Sequence, residues 1–308
     1  MINRELIRLK VVQITYSYFQ RDVRNVKAAE NELLLSLEQA YNLYNHLMLL
    51  MLEVTRFAER IYDMRSSRAQ RLGERHDLSR KFVDNRFIKR LEESQTLARF
   101  RDEGRCNWSD DEEFVRSLFK TIEQSEYYVA YMQEGVDTFE ADREVWRLIY
   151  RNIICNNDEL TSLLEDQNLY WNDDKVIVDT FVLKTINRVR EQGVVDEMFM
   201  PMYSSDNDRT FALQLLRRTL ENTDYYHQLI ASTTRNWELS RVALMDRVIL
   251  QIGLAELLSF PEIPTSVTIS EYVSIARDYS TPKSSKYINA PLDNIAKQLM
   301  AANKLIKN

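Results

Sequence analysis

Three observations predict an all-α protein. The 308-residue sequence holds only five glycines and five prolines, too few to supply the turns of a strand-rich chain. No proline precedes Pro201, so nothing in the first two-thirds of the chain forbids long helices. Apolar residues recur at helical rather than alternating spacing in segment after segment.

The composition is 44% hydrophobic and 29% charged, enough for one large or two modest domains. The apolar run 46–54 is too short to cross a bilayer, and the opening MINRELIRLK carries charge through its first turns, unlike a secretory signal. Two cysteines, Cys106 and Cys155, in so long a chain read as reduced thiols, which points to the cytoplasm. Net charge is −6, but its distribution is uneven. Residues 1–27 hold six Arg or Lys against two acids, 56–105 hold fourteen against nine, and 277–308 hold six against two. Residues 110–210 hold ten bases against twenty-three acids. Two basic ends flank an acidic middle, and the local potential decides what a surface attracts.

Taken in order, residues 2–20 form a helix apolar on two faces, with Arg4, Arg8 and Thr15 on one narrow polar stripe and Lys10, Gln13 and Ser17 on the other. Residues 28–65 form a long helix whose stripe runs Leu33, Leu37, Tyr41, Tyr44, Met48, Met51, Val54, a face suited to a deformable core or a partner groove. Residues 66–104 are polar and basic. There Arg80, Lys81, Arg86, Lys89 and Arg90 interleave with Phe82 and Phe87, either as an RNA-facing patch or as a solvated connector anchored by two Phe. Ser109 and Glu112 have capping-box spacing ahead of Phe114, Leu118 and Ile122. Further helices are expected over 137–151, 159–170 and 176–190, a linker over 193–208, and a helix over 209–234. The segment 121–128, TIEQSEYY, is echoed by TLENTDYY at 219–226.

The stretch 236–295 organises the chain. A helix is expected over 239–258, closed by Pro261 and Pro264. A second opens at Thr268 with Glu271 completing a capping box, and ends at Ser280-Thr281-Pro282. A third begins near residues 287–291, where a proline is tolerated in the first turn. The ordered blocks DRVILQIGLAEL, IPTSVTISEYVSIAR and SSKYINAPLDNIA resemble the C-terminal half of the NusB family of bacterial antitermination factors, and Val12-Gln13 with Tyr16 resembles its first helix.

That resemblance implies a NusB-like helical bundle, residues 1–25 and 207–308, with a second helical bundle, 26–206, inserted after the first helix. It implies a non-catalytic RNA-binding adaptor that binds boxA-type RNA of ribosomal operons together with NusE, a small-subunit ribosomal protein, and helps RNA polymerase pass terminators. On the RNA side it places Arg4, Arg8, Lys10, Lys286, Tyr287 and Asn289, joined by Lys283, which stands where the family commonly has an acid and restores charge lost from the first helix; facing NusE it places Tyr16 and Asp246. The chain departs from the family pattern at Ala290 and Pro291, where a glycine and an apolar residue are usual, and at Gln251, where an arginine is frequent. A helical protein-binding scaffold that has lost RNA binding is the alternative.

No phosphate loop, nucleophile elbow or zincin motif occurs, and the three histidines stand apart. Asp224 and His227 share a helix face but lack further ligands for a metal. Neither an enzyme nor a cofactor is expected.

Overall fold

The computed structural model describes residues 1–73, 79–104, 107–233, 242–281, 284–305 and 307, without the side chains of Asp206, Thr233, Ser285 and Lys286. The described residues are helical, with no strand beyond a single parallel bridge between Ile2 and Tyr203. Fourteen α-helices are described: α1 Arg4–Gln20, α2 Val26–Leu72, α3 Arg86–Glu92, α4 Gln95–Asp102, α5 Glu112–Glu123, α6 Glu126–Gln133, α7 Phe139–Ile149, α8 Asp158–Gln167, α9 Lys175–Arg188, α10 Asp206–Glu221, α11 Thr223–Thr233, α12 Leu244–Ser259, α13 Thr265–Tyr279 and α14 Ser284–Ala301. No described helix is long and apolar enough to cross a membrane.

The chain divides into two compact units, one of Met1 and Glu38–Met202, the other of Ile2–Leu37 and Tyr203–Asn308. The division falls inside α2, not before it as the sequence suggested.

The second unit is built around α12. Val248, Ile249, Leu250, Ile252, Leu254, Ala255 and Leu257 are all buried, so the helix is wrapped on every side. It packs against α1, α10, α11, α13 and α14. Gly253 is small for a reason: a Cβ there would meet both Leu292 methyls at 3.1 Å and the Tyr272 ring at 3.4 Å, so its absence lets α14 and α13 close on α12.

Several expected boundaries in this unit shift. The helix expected over 209–234 is two helices, broken at Asn222. The buried Gln251 amide donates to the Thr219 carbonyl at 2.8 Å and to Thr223 Oγ1 at 2.9 Å, taking up a carbonyl that the break leaves open. Helix α13 starts at Thr265, not Thr268, because Thr268 Oγ1 is spent on Glu256 and caps nothing. Helix α14 starts at Ser284 and carries Pro291 inside it. Its start is fixed by Asp246, whose carboxylate accepts from Ser280 Oγ at 2.6 Å and from Ser284 Oγ at 3.0 Å. Residues 239–241 of the expected first helix and Pro282 lie outside the described residues.

In the first unit, Trp146, Tyr150, Phe82, Phe87 and Tyr44 form the largest buried side chains. The basic segment 80–90 proves to be the anchored connector. Phe82 stacks on Trp146 at 5.3 Å, and Arg80 is paired with Glu59, Asp63 and Asp84. Lys81 donates to the carbonyls of Tyr131 and Glu134, Arg86 pairs with Asp137, and Arg90 reaches the carbonyls of Arg190 and Gly193. The expected capping box at Ser109 does not form; a short 3-10 turn, Ser109–Asp111, leads into α5 without a side-chain cap. The expected linker is packed as well. Val195 and Phe199 are buried, and the Asp196 carboxylate caps α4, accepting from Ser94 Oγ at 2.7 Å and from the Gln95 and Thr96 amides at 3.1 Å.

The two echoed segments each span a helix–helix junction, α5 to α6 and α10 to α11, and make the same bonds. Thr121 and Thr219 each donate to a carbonyl four residues back, and Ser125 and Thr223 each to one three residues back.

A π-helical turn, Tyr150–Ile154, follows α7. Lys175 Nζ donates to the Cys155 carbonyl there at 2.9 Å and to Asp179 Oδ2 at 2.8 Å, while Tyr150 OH donates to Asp179 Oδ1 at 2.7 Å. Burial first, then Asp179, pushes the Cys155 thiol up to about 12, so it stays protonated.

His46 lies between Trp108, stacked at 4.0 Å, and Trp171 at 5.3 Å. Burial pushes its pKa from an ordinary 6.5 down to about 3. The unfolded chain takes up that proton below about pH 6.5, the folded one only near 3. Stability that is present above pH 6.5 is therefore lost as the pH falls, at about 1.4 kcal/mol per pH unit. Urea unfolding followed by tryptophan fluorescence is expected to show wild type losing about 2 kcal/mol more than His46→Phe between pH 6.5 and pH 5; equal losses would exclude His46 as the source. Gly253→Val is expected to cost about 1–3 kcal/mol by overpacking against Leu292 and Tyr272, read as a lower melting temperature, and an unchanged one would refute that contact.

Candidate nucleic-acid interface

Helix α1 is opened by Asn3, whose side chain accepts from the Leu6 amide at 2.9 Å. Its helical register then brings Arg4 and Arg8 to the same face, one turn apart, beside the Phe211 ring on α10 at 4.8 and 5.8 Å. The two arginines have different fates.

Arg4 is half-buried and keeps part of its surface to solvent. Arg8 is 4% exposed. Its Nε donates to Glu256 Oε2 at 2.8 Å, its Nη2 to Glu256 Oε1 at 2.9 Å, and its Nη1 to Glu271 Oε2 at 3.2 Å. Glu256, on α12, is fully buried and also accepts from Thr268 Oγ1 at 2.9 Å and Tyr272 OH at 3.0 Å. Each carboxylate oxygen thus receives two hydrogen bonds, the full capacity of the group.

Burial opposes the Arg8 charge, but the hydrogen bond and charge of Glu256 outweigh it and hold its pKa above the ordinary value. Burial and Glu256 together push the Tyr272 phenol well above its usual range, so it stays a donor. Arg8 accordingly lends its charge to the interior. The expectation that it meets RNA phosphate is replaced by a structural role, because a guanidinium already chelated by a buried carboxylate has little left for an outside anion. Lys10 is 2% exposed and offers no surface charge either.

At the other end of the unit, Tyr287 is 48% exposed and Asn289 is exposed, both in the first turns of α14. Lys283 and the Lys286 side chain lie outside the described residues. Tyr16 is half-buried near the end of α1. Asp246 is 8% exposed, and both of its oxygens accept serine hydroxyls at the start of α14. Helices α1 and α14 both pack on α12. The buried Glu256 network was missed from sequence. Its signal was an acid inside the otherwise apolar run ILQIGLAELL, matched by an arginine on the narrow polar stripe of α1.

Among the described residues no group of three or more His, Cys, Asp or Glu stands where it would hold a metal ion. Residues 179–297 match the model of the NusB family. The transcription antitermination protein NusB of Salinibacter ruber is 34% identical over 117 residues, covering 38% of this chain and 73% of that protein. The chain belongs to the NusB family. The corresponding NusB of Thermodesulfovibrio yellowstonii is 35% identical over 115 residues, 37% of this chain and 76% of that protein. A solved structure of NusB from T. maritima aligns with 26% identity and a TM-score of 0.30, over 51% of this chain and 91% of that one. This chain is longer than those family members: the matched region is most of the relatives and little more than a third of its own length.

Removing one member of the buried network leaves an uncompensated charge in the core of this unit. Arg8→Ala is expected to cost about 3–5 kcal/mol of unfolding free energy. Arg8→Met and Glu256→Gln are each expected to destabilise alone and to be clearly less than additive together. Denaturant melts showing strict additivity would separate the two residues.

Proposed function

We propose that this NusB-family protein is a non-catalytic, cytoplasmic transcription antitermination factor. It binds boxA-type RNA of ribosomal-operon transcripts together with NusE and helps RNA polymerase read through terminators. The observation that carries this reading is the family match to proteins named for transcription antitermination, over most of their length. Burial supplies the refinement. The RNA contacts fall to Arg4, Lys283, Lys286, Tyr287 and Asn289, with Arg4 and the two lysines on phosphates and Tyr287 stacking on an unpaired base. Tyr16 faces NusE. Asp246 acts on the same face by holding the start of α14 in place.

One observation favours the second reading, a protein-binding helical scaffold without RNA. Two of the three basic residues counted on α1 are buried, and phosphate affinity scales with the number of charges neutralised.

Filter binding with boxA-type RNA, with and without NusE and across a salt series, separates the two. Binding is expected to strengthen with NusE and to fall steeply with salt. Arg4→Ala is expected to flatten the salt slope by about 0.7 for the one lost phosphate contact. Tyr287→Ala is expected to weaken binding by about 1–3 kcal/mol. Salt-insensitive or absent binding, with or without NusE, leaves the scaffold.

A further inference from the structure

Helices α10, α11 and α12 enclose a groove of about 420 Å³ lined by Gln214, Arg218, Asn222, Tyr225, Tyr226 and Leu258. None of the residues assigned above to RNA or to NusE lines it. Its composition is unlike a solvated helix face. Arg218 is exposed, and among the described residues no carboxylate pairs with it, whereas its neighbour Arg217 is paired with Glu30. The C-terminal end of α10 favours a cation at this turn, but that accounts for a charge and not for what surrounds it.

Tyr225 is 42% exposed and lies 5.9 Å from the buried Tyr226 ring, which backs it. Burial pushes the Tyr226 phenol up to about 12, with Arg218 and Asn222 drawing it back down, so the guanidinium and the phenol share one electrostatic environment. Two amides, Gln214 and Asn222, and Ser259 complete the polar lining. Asn222 is oriented by a 3.0 Å bond from its Nδ2 to the Arg218 carbonyl.

A guanidinium with no carboxylate partner among the described residues, an exposed aromatic plane and amides are groups that recognise a single-stranded nucleotide: charge for phosphate, a ring for the base face, amides for its edge. The volume lies at the small end of ligand sites and suits one nucleotide. We propose that the α10–α12 groove binds one unpaired ribonucleotide, its phosphate on Arg218 and its base against Tyr225. The inference rests on the RNA-binding reading for the source of that nucleotide, and adds a second contact point on the same unit.

The test titrates the full chain with uridine 5′-monophosphate, uridine and inorganic phosphate, followed by chemical shifts of the tyrosine rings. The monophosphate is expected to bind more tightly than either part and to shift Tyr225 and Tyr226. Arg218→Ala is expected to weaken it about tenfold or more, Arg218→Lys less, and Tyr225→Ala about fivefold or more. Both positions are open to solvent, so folding is checked by an unchanged melting curve. Equal binding of inorganic phosphate and the monophosphate, or indifference to Tyr225→Ala, overturns the proposal in favour of a bare anion site; displacement by an acidic peptide and not by the monophosphate overturns it too. If boxA-type RNA binds the protein and the monophosphate does not, the groove is excluded and the RNA reading stands. If the monophosphate binds and boxA-type RNA with NusE does not, the reverse holds.

Discussion

The buried Glu256 carboxylate is the constraint from which the NusB-like unit takes its geometry. A charge with no access to water must have all of its acceptor positions filled. Here the donors come from three places in the sequence: Arg8 on α1, and Thr268 and Tyr272 on α13. Apolar burial holds these helices together, since it is proportional to area, but it is non-directional. The hydrogen bonds are directional and select one rotation and one axial position for each helix. Glu271 then attaches the third Arg8 nitrogen, so the guanidinium cannot turn away from the core. Helix α12 thus contributes the apolar bulk of the unit together with two carboxylates, Glu256 and Asp246, that orient its neighbours.

The sequence made the helical class and the central helix plain, because both depend on local properties: few breakers, apolar period, and paired prolines after α12. It misled wherever a polar side chain had two possible uses. Thr268 and Glu271 have capping-box spacing, yet one serves Glu256 and the other Arg8, and the backbone starts α13 at Thr265 instead. Pro291 suggested a late start for α14. Asp246, distant in sequence, gathers Ser280 and Ser284 and starts it earlier. Gln251 looked like a lost arginine, whereas its amide serves the α10–α11 junction. Each miss is a tertiary bond overriding a local preference.

The candidate interface was legible to a lesser degree, for a related reason. Residue type and helical stripe identify Arg4 and Arg8 equally well as surface cations, and only the carboxylate on another helix distinguishes them. The first unit repeats the lesson. Alternating basic and aromatic residues at 80–90 suit RNA on composition, but the carbonyls and carboxylates that consume those cations come from α2 and from the chain around residues 131–142 and 190–193. Tyr287 and Asn289 were easier to place, since polar positions in an otherwise apolar amphipathic helix tend to face outward.

The Asp196 cap on α4 has a practical corollary for handling the protein. A glycine followed by acidic and polar residues invites a scissile point between 193 and 208, for limited digestion or for expressing the halves apart. Severing the backbone before Asp196 would release three hydrogen bonds at the start of α4 and uncover Val195 and Phe199 together. A fragment ending there would be expected to show a frayed α4 and to adhere to other chains. The residues just past Phe199 are no freer: the Met200 amide donates to Tyr44 OH at 3.4 Å, and Tyr203 bridges Ile2.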